Sequence, residues 1–234
     1  MTPSVVVVRD ATVLAQAVAA RLITTLADAQ ACRGQASVVL AGGTVAIASL
    51  AAVAASPARD AVDWARLDVW WGDERFVDVD STDRNELQAR RALLDHVCVD
   101  PTRVHPMGAL GLQDVDAAAE SYARELPASF DLLLLGMGPE GHTASIFPES
   151  PAAYDARSVF AVRDCPKPPP LRISLGFTAL NTAREVWMVV SGAEKAEAVA
   201  RALGGADQVQ CPAAGPRGSE ATRWLLDEAA AAQL

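Results

Sequence analysis

LLLLGMGPEGHTASIFP, residues 132–148, is where the architecture is most legible. The four leucines Leu132–Leu135 leave no polar residue at alternate positions, so a strand there must be buried on both faces. That is the mark of a parallel sheet covered by helices. N-terminal to it, strands are expected at Val5–Val8, Val38–Leu40 and Leu67–Trp71, and helices at about Thr12–Ala31, after Gly43, at about Asn85–Val97 and across Asp114–Leu126. C-terminal to it come a short turn of helix, strands near Ser158–Val162 and Leu171–Leu175, the strand Val186–Val190, and helices at Glu194–Leu203 and about Glu220–Ala232. This alternation predicts an α/β fold with a mostly parallel sheet flanked by helices on both faces, built as a single domain over residues 1–234. No internal repeat or low-complexity linker divides it, and Pro166–Pro170 reads as a rigid surface connection.

The 234 residues are 51% hydrophobic and 21% charged, too apolar for a disordered chain. A net charge of −9 without any Lys/Arg run repels nucleic acid and anionic lipid. Cys32, Cys98, Cys165 and Cys211 lie far apart with no CxxC or CxxH, which signals neither a zinc site nor a disulfide framework and fits a reducing cytoplasm. The opening MTPSVVVVRD is too short an apolar run for a secretory signal. Gly34–Ala58 carries no charge, but its Gly-Gly break and Pro57 divide it into strand, turn and helix, so it reads as soluble core and not as a membrane span.

Ligands of such sheets sit beyond the strand C-termini, and four loops there are unusual. Ala41-Gly42-Gly43-Thr44 brings backbone N–H groups, a helix N-terminus and a hydroxyl together, an arrangement suited to phosphate. The plain alternative is a tight turn with Thr44 as N-cap. Gly72-Asp73-Glu74-Arg75 sets three charges where a buried strand emerges. Arg75 offers a planar fork to carboxylate or phosphate, and Asp73 and Glu74 orient it or a neighbour, unless the group is only a local salt-bridge cluster. Ser191-Gly192-Ala193-Glu194-Lys195 places a cation in the first turn of a helix, against the dipole, where an anion beside it would be favourable. The chain has eighteen Arg and two Lys, so a lysine there is uncommon, although an exposed solvated lysine fits as well.

The fourth loop is the Gly136–Ser145 part of the opening stretch. It contains GxGxxG, with Asp164 at about the place of a ribose-binding acid, yet Pro148 and Pro151 leave no room for the crossover helix of a dinucleotide fold. His142 follows two glycine-relieved turns, with Glu140 two residues upstream, which makes it the candidate general base. His96 and His105 read as structural or surface residues. Ser145 is three residues from His142 on a presumed helical turn but lacks the GxSxG elbow of an activated nucleophile. Three scattered histidines without HxH or HxxxH spacing make no metal shell.

Taken together, Leu40-Ala41-Gly42-Gly43-Thr44, Trp71–Arg75, Gly136–Pro148, Lys167-Pro168-Pro169 and Arg172-Ile173-Ser174 resemble the 6-phosphogluconolactonase family, in collinear order from about Val38 to Ala198. The resemblance implies a Rossmann-like three-layer sandwich of the glucosamine-6-phosphate deaminase type. It also implies hydrolysis of 6-phospho-D-glucono-1,5-lactone to 6-phosphogluconate, the second step of the oxidative pentose phosphate pathway. Carried onto this chain, it makes His142, Glu140 and Arg75 catalytic and gives Gly42, Gly43, Thr44, Asp73, Gly138, Arg172 and Lys195 to the phosphorylated substrate. No metal or cofactor is called for, and a cytoplasmic monomer or weak homodimer is expected. Two departures stand out: the family usually has Ser-Thr-Pro where this chain has Thr44-Val45-Ala46, and Asp where it has Glu140. The nearest rival, glucosamine-6-phosphate deaminase, reads Asp-Glu-Tyr at Asp73-Glu74-Arg75 and carries a Glu near Phe147. A non-catalytic sugar-phosphate sensor is the other alternative, disfavoured by the intact Glu140–His142 pair.

Overall fold

The leucine run forms β5 (Leu132–Leu135), and every one of its side chains is buried. The computed structural model describes residues 2–234. Six parallel strands form one sheet in the order β1 (Ser4–Val8), β9 (Ala221–Asp227), β8 (Glu185–Val190), β5, β2 (Ala36–Leu40), β3 (Leu67–Trp71). Successive residues of these strands enter opposite cores, as the period of two requires. Val38, Leu40, Leu132 and Leu134 pack with α1 (Ala11–Arg33) and α2 (Thr44–Ala55). Val39, Leu133, Leu135 and Met188 pack on the other side with α4 (Val115–Glu125) and α6 (Ala196–Leu203).

The second core also contains a small antiparallel sheet of order β4 (Asp73–Arg75), β7 (Arg172–Leu175), β6 (Val159–Val162). The two short C-terminal strands expected from sequence therefore leave the main sheet, and Asp73-Glu74-Arg75 is a strand rather than a loop. α1 shows why the helices form. Asp10 caps it by accepting the Val13 N–H at 2.9 Å, and Leu14, Val18, Leu22 and Leu26 recur on one buried face. Full burial of each leucine contributes about 1.5–3 kcal/mol.

Three further expectations change. The helix over Glu220–Ala232 is instead β9, inserted between β1 and β8. Trp224 and Leu226 enter one core and Leu225 the other, so tertiary burial of both faces overrides local helix propensity. The helix over Asn85–Val97 is α3 (Asn85–Ala92), followed by a 3-10 turn at Leu94–His96, because Leu93 leaves helical backbone at φ −143°. Residues 142–145 are not helical: Thr143 and Ile146 exchange backbone hydrogen bonds across a tight turn. Between β5 and β6 the only helical piece among the described residues is the 3-10 turn Pro151–Tyr154, so the crossover helix of a dinucleotide fold is absent there.

Candidate active site

From β2 the chain proceeds to β3 on one side; from β5 it proceeds to β8 and β9 on the other. The crevice beyond the C-termini of β2 and β5 is thus the topological switch point, where open α/β sheets bind ligands. A cavity of about 780 Å³ lies there. Gly42, Gly43 and Thr44 line it from the end of β2, Asp73 and Arg75 from β4, and His142 from the loop after β5. Arg172 completes the set from β7 and Lys195 from the 3-10 turn Ala193–Lys195, so Lys195 caps the start of α6 and does not lie within its first turn as the sequence suggests. Gly138 and Glu140 are not among the lining residues; both lie against the His142 ring.

The His142 ring stacks on Phe147 at 4.4 Å between centroids, and its Nδ1 lies 3.1 Å from Glu140 Oε1. Lys167 Nζ is 3.1 Å from the same carboxylate oxygen and 3.4 Å from Nδ1. Nδ1 cannot donate to Glu140 and accept from Lys167 at once. The shorter contact, with Lys167 itself donating to Glu140, favours the tautomer with hydrogen on Nδ1. Nε2 then carries the lone pair, and it has no protein partner among the described residues. Burial, helped by the Lys167 charge, holds the imidazole below its ordinary value, and Glu140 only partly opposes this. Burial alone would raise Glu140, but its own backbone N–H, His142 and Lys167 outweigh that and keep it ionised.

The loop carrying this pair is tightly determined. Gly138 N–H donates to the His142 carbonyl at 3.1 Å and Gly141 N–H to the Gly138 carbonyl at 3.0 Å, so neither is free for a substrate oxygen. A Cβ on Gly138 would stand 2.1 Å from the His142 ring, so the absence of a side chain here makes room for the imidazole. Ala144 holds a left-handed φ of 47°, a local cost of about 1–3 kcal/mol of the kind that clusters at functional sites. Ser145, fully buried, donates to Asp73 Oδ2 at 2.7 Å and ties the turn to β4.

The charges after β3 divide. Glu74 turns inward and accepts the N–H groups of Arg75, Asn85 and Glu86, capping α3. Its burial pushes the carboxyl up to about 7, against the Arg84 charge and those N–H donors. Arg75 Nη1 donates to the Asp83 carbonyl at 2.8 Å and to Asn85 Oδ1 at 2.6 Å. Arg172 has Nε and Nη2 engaged with the carbonyls of Pro169, Lys167 and Pro168, leaving Nη1 3.8 Å from Asp73. It holds the proline segment as much as it faces the cavity. Pro166–Pro170 is therefore more than a surface connection, since Lys167 and Pro168 line the site.

Lys195 is half-buried. Burial and, more weakly, Lys167 lower it from the ordinary lysine range, while Glu194 and Asp227 oppose this. Both lysines of the chain thus face one cavity in an otherwise acidic protein. The sequence marks Lys195 by a cation beside a helix start and by the scarcity of lysine; scarcity applies equally to Lys167, which carries part of the family resemblance but is not among the site residues drawn from sequence. Asp227, at the end of β9, accepts from Ser191 Oγ at 2.5 Å and Gly192 N–H at 3.1 Å and fixes the loop that presents Lys195. Its role was invisible while 220–232 read as a helix. Among the described residues no group of three or more His, Cys, Asp or Glu side chains is placed to hold a metal ion, and no helix is long and apolar enough to cross a membrane.

An open crevice lined by Arg75, Lys167, Arg172 and Lys195, with a carboxylate-paired histidine and set at the switch point of this sheet, defines the class of a sugar-phosphate enzyme. Residues 9–224 match the family described as glucosamine-6-phosphate isomerases/6-phosphogluconolactonase, and the chain belongs to it. The 6-phosphogluconolactonase of Streptomyces coelicolor is 55% identical across 100% of this chain and 95% of its own length. The solved structure of a 6-phosphogluconolactonase from Thermotoga maritima superposes with a TM-score of 0.86 at 27% identity, covering 96% of this chain and 99% of that one. A solved monomeric glucosamine-6-phosphate deaminase gives 0.84 at 19% identity over 99% and 100% of the two chains, which shows the shared fold alone.

Proposed function

We propose that this chain hydrolyses 6-phospho-D-glucono-1,5-lactone to 6-phospho-D-gluconate, acting as one domain in the cytoplasm, as a monomer or weak homodimer with no nucleic-acid partner. The observation that carries the reading is the Glu140–His142 pair sharing a cavity with both lysines and the Gly42-Gly43-Thr44 turn. The 6-phosphate is held by that turn with Lys195, and Arg172 Nη1 adds charge. His142 Nε2 takes a proton from water as the water oxygen attacks lactone C1. Arg75 receives the oxyanion that develops on the carbonyl oxygen; Gly138 and Gly141 N–H groups, being engaged, do not. The C1–ring oxygen bond then breaks, and the imidazolium returns its proton to the departing oxygen. General-base help of this kind is worth roughly 10²–10⁴ in rate.

Phe147 supports hydrolysis over deamination. The resemblance places a deaminase glutamate near this position, whereas here a phenyl ring stacks on His142 and relays no proton. The test couples lactone formation by glucose-6-phosphate dehydrogenase to purified protein and times lactone loss against the spontaneous rate. Acceleration is expected, with no ammonia released from glucosamine 6-phosphate. Ammonia release would move the assignment to deaminase, and loss at the spontaneous rate would leave a sensor.

A further inference from the structure

We propose that Asn85 is a positioning residue for this reaction: its side-chain amide holds the Arg75 guanidinium in the orientation that meets the substrate. The inference rests on the reading above, in which Arg75 receives a substrate oxygen. Asn85 opens α3 and is only 2% exposed, yet it lines the cavity. Each polar atom of its amide is engaged. Oδ1 accepts from Arg75 Nη1 at 2.6 Å, and Nδ2 donates to the Asp73 carbonyl at 2.8 Å and to Asp73 Oδ1 at 3.3 Å.

The chemistry of these partners fixes the amide's orientation. Arg75 only donates and Asp73 only accepts, so flipping the amide would set donor against donor and acceptor against acceptor. Packing fixes its position. A Cβ on Gly42 would stand 1.9 Å from Asn85 Oδ1, so the turn after β2 approaches the amide closely and only a glycine there leaves it room. One buried side chain thereby joins the phosphate-type turn, Asp73 and Arg75. With Nη1 held by Asn85 and the Asp83 carbonyl, Nη2 and the buried Nε have no hydrogen-bond partner among the described residues, and Nη2, which is not fully buried, is the donor left for a ligand. An arginine side chain free to sample its rotamers would lose that pre-organisation.

A purely structural role, holding the corner between β4 and α3, predicts something different, and a double-mutant cycle separates the two. Lactone hydrolysis is measured for the full-length wild type, Asn85→Ala, Arg75→Ala and the double variant. Asn85→Ala is expected to lower kcat/KM by about 10- to 100-fold, the range for removing a hydrogen bond to a charged group. The double variant is expected to stay within about twofold of Arg75→Ala, because the amide's effect on the substrate runs through the guanidinium and its bonds to Asp73 serve only to orient the amide. Losses that multiply would overturn the proposal. Should the alanine variant fail to fold, Asn85→Ser, which keeps a hydroxyl near Asp73 but withdraws from Arg75, takes its place in the same cycle. A wild type without lactonase activity would refute the proposed function; an active wild type with a multiplicative cycle refutes only the role of Asn85.

Discussion

Two charges of opposite sign meet at one nitrogen of His142, and removing them separately must move its titration in opposite directions. Lys167 Nζ stands 3.4 Å from Nδ1 and Glu140 Oε1 stands 3.1 Å from it. A charge at such range shifts a neighbour by about 1–3 pKa units. Both side chains are more than a third exposed, at 41% and 35%, so solvent screens each of them and neither outweighs burial. Burial disfavours the imidazolium and sets the wild-type value below that of an ordinary histidine, so the neutral base persists to lower pH. The acid limb of kcat/KM therefore lies below about pH 6.5. Lys167→Ala leaves Glu140 unopposed and carries that limb upward; Glu140→Gln removes the one carboxylate in contact and carries it downward. The histidine C–H signals report the same titration without turnover, and with three histidines in the chain a His142→Ala spectrum assigns the resonance. Shifts of the same sign in both variants, or none in either, would refute the account of His142 as a base tuned between these two groups.

His142→Ala should lower kcat by about 10²–10⁴ while binding of 6-phosphogluconate, followed by calorimetry, stays near wild type. Lys195→Ala should chiefly raise KM, by about 10- to 100-fold, as expected for losing a charge-assisted contact; a selective fall in kcat would contradict anchoring. Gly138→Ala drives a methyl group to 2.1 Å from the His142 ring, so kcat should fall by about 10² through displacement of the base, with product binding retained. Amide hydrogen exchange should show Arg223 to Leu226 among the most protected residues, as befits a strand paired on both sides, whereas a terminal helix would exchange far sooner.

Much of this protein is written locally. The leucine run Leu132–Leu135 and the β-branched Val38-Val39 pair are buried on both faces of a strand, and Leu67, Val69, Trp70 and Trp71 are buried around the single charge of Asp68, so their hydrophobicity specifies a covered parallel sheet. The turns after them are equally legible, because glycine, histidine and unpaired charge at the end of a buried strand have few structural uses. What the sequence does not contain is distance. Lys167 lies 25 residues from His142 and Asn85 lies 12 from Asp73, and only the folding of β7 back onto β4 and of α3 onto the β2 turn brings them within hydrogen-bond range. The same holds for residues 220–232. Their alanines and leucines suit a helix in isolation, and the strand is imposed by the gap between β1 and β8, where both faces of Trp224-Leu225-Leu226 find apolar cover. Local pattern determined the sheet and the reactive turns; burial and long-range pairing decided the last strand and the charges that surround the histidine, because those depend on neighbours far away along the chain.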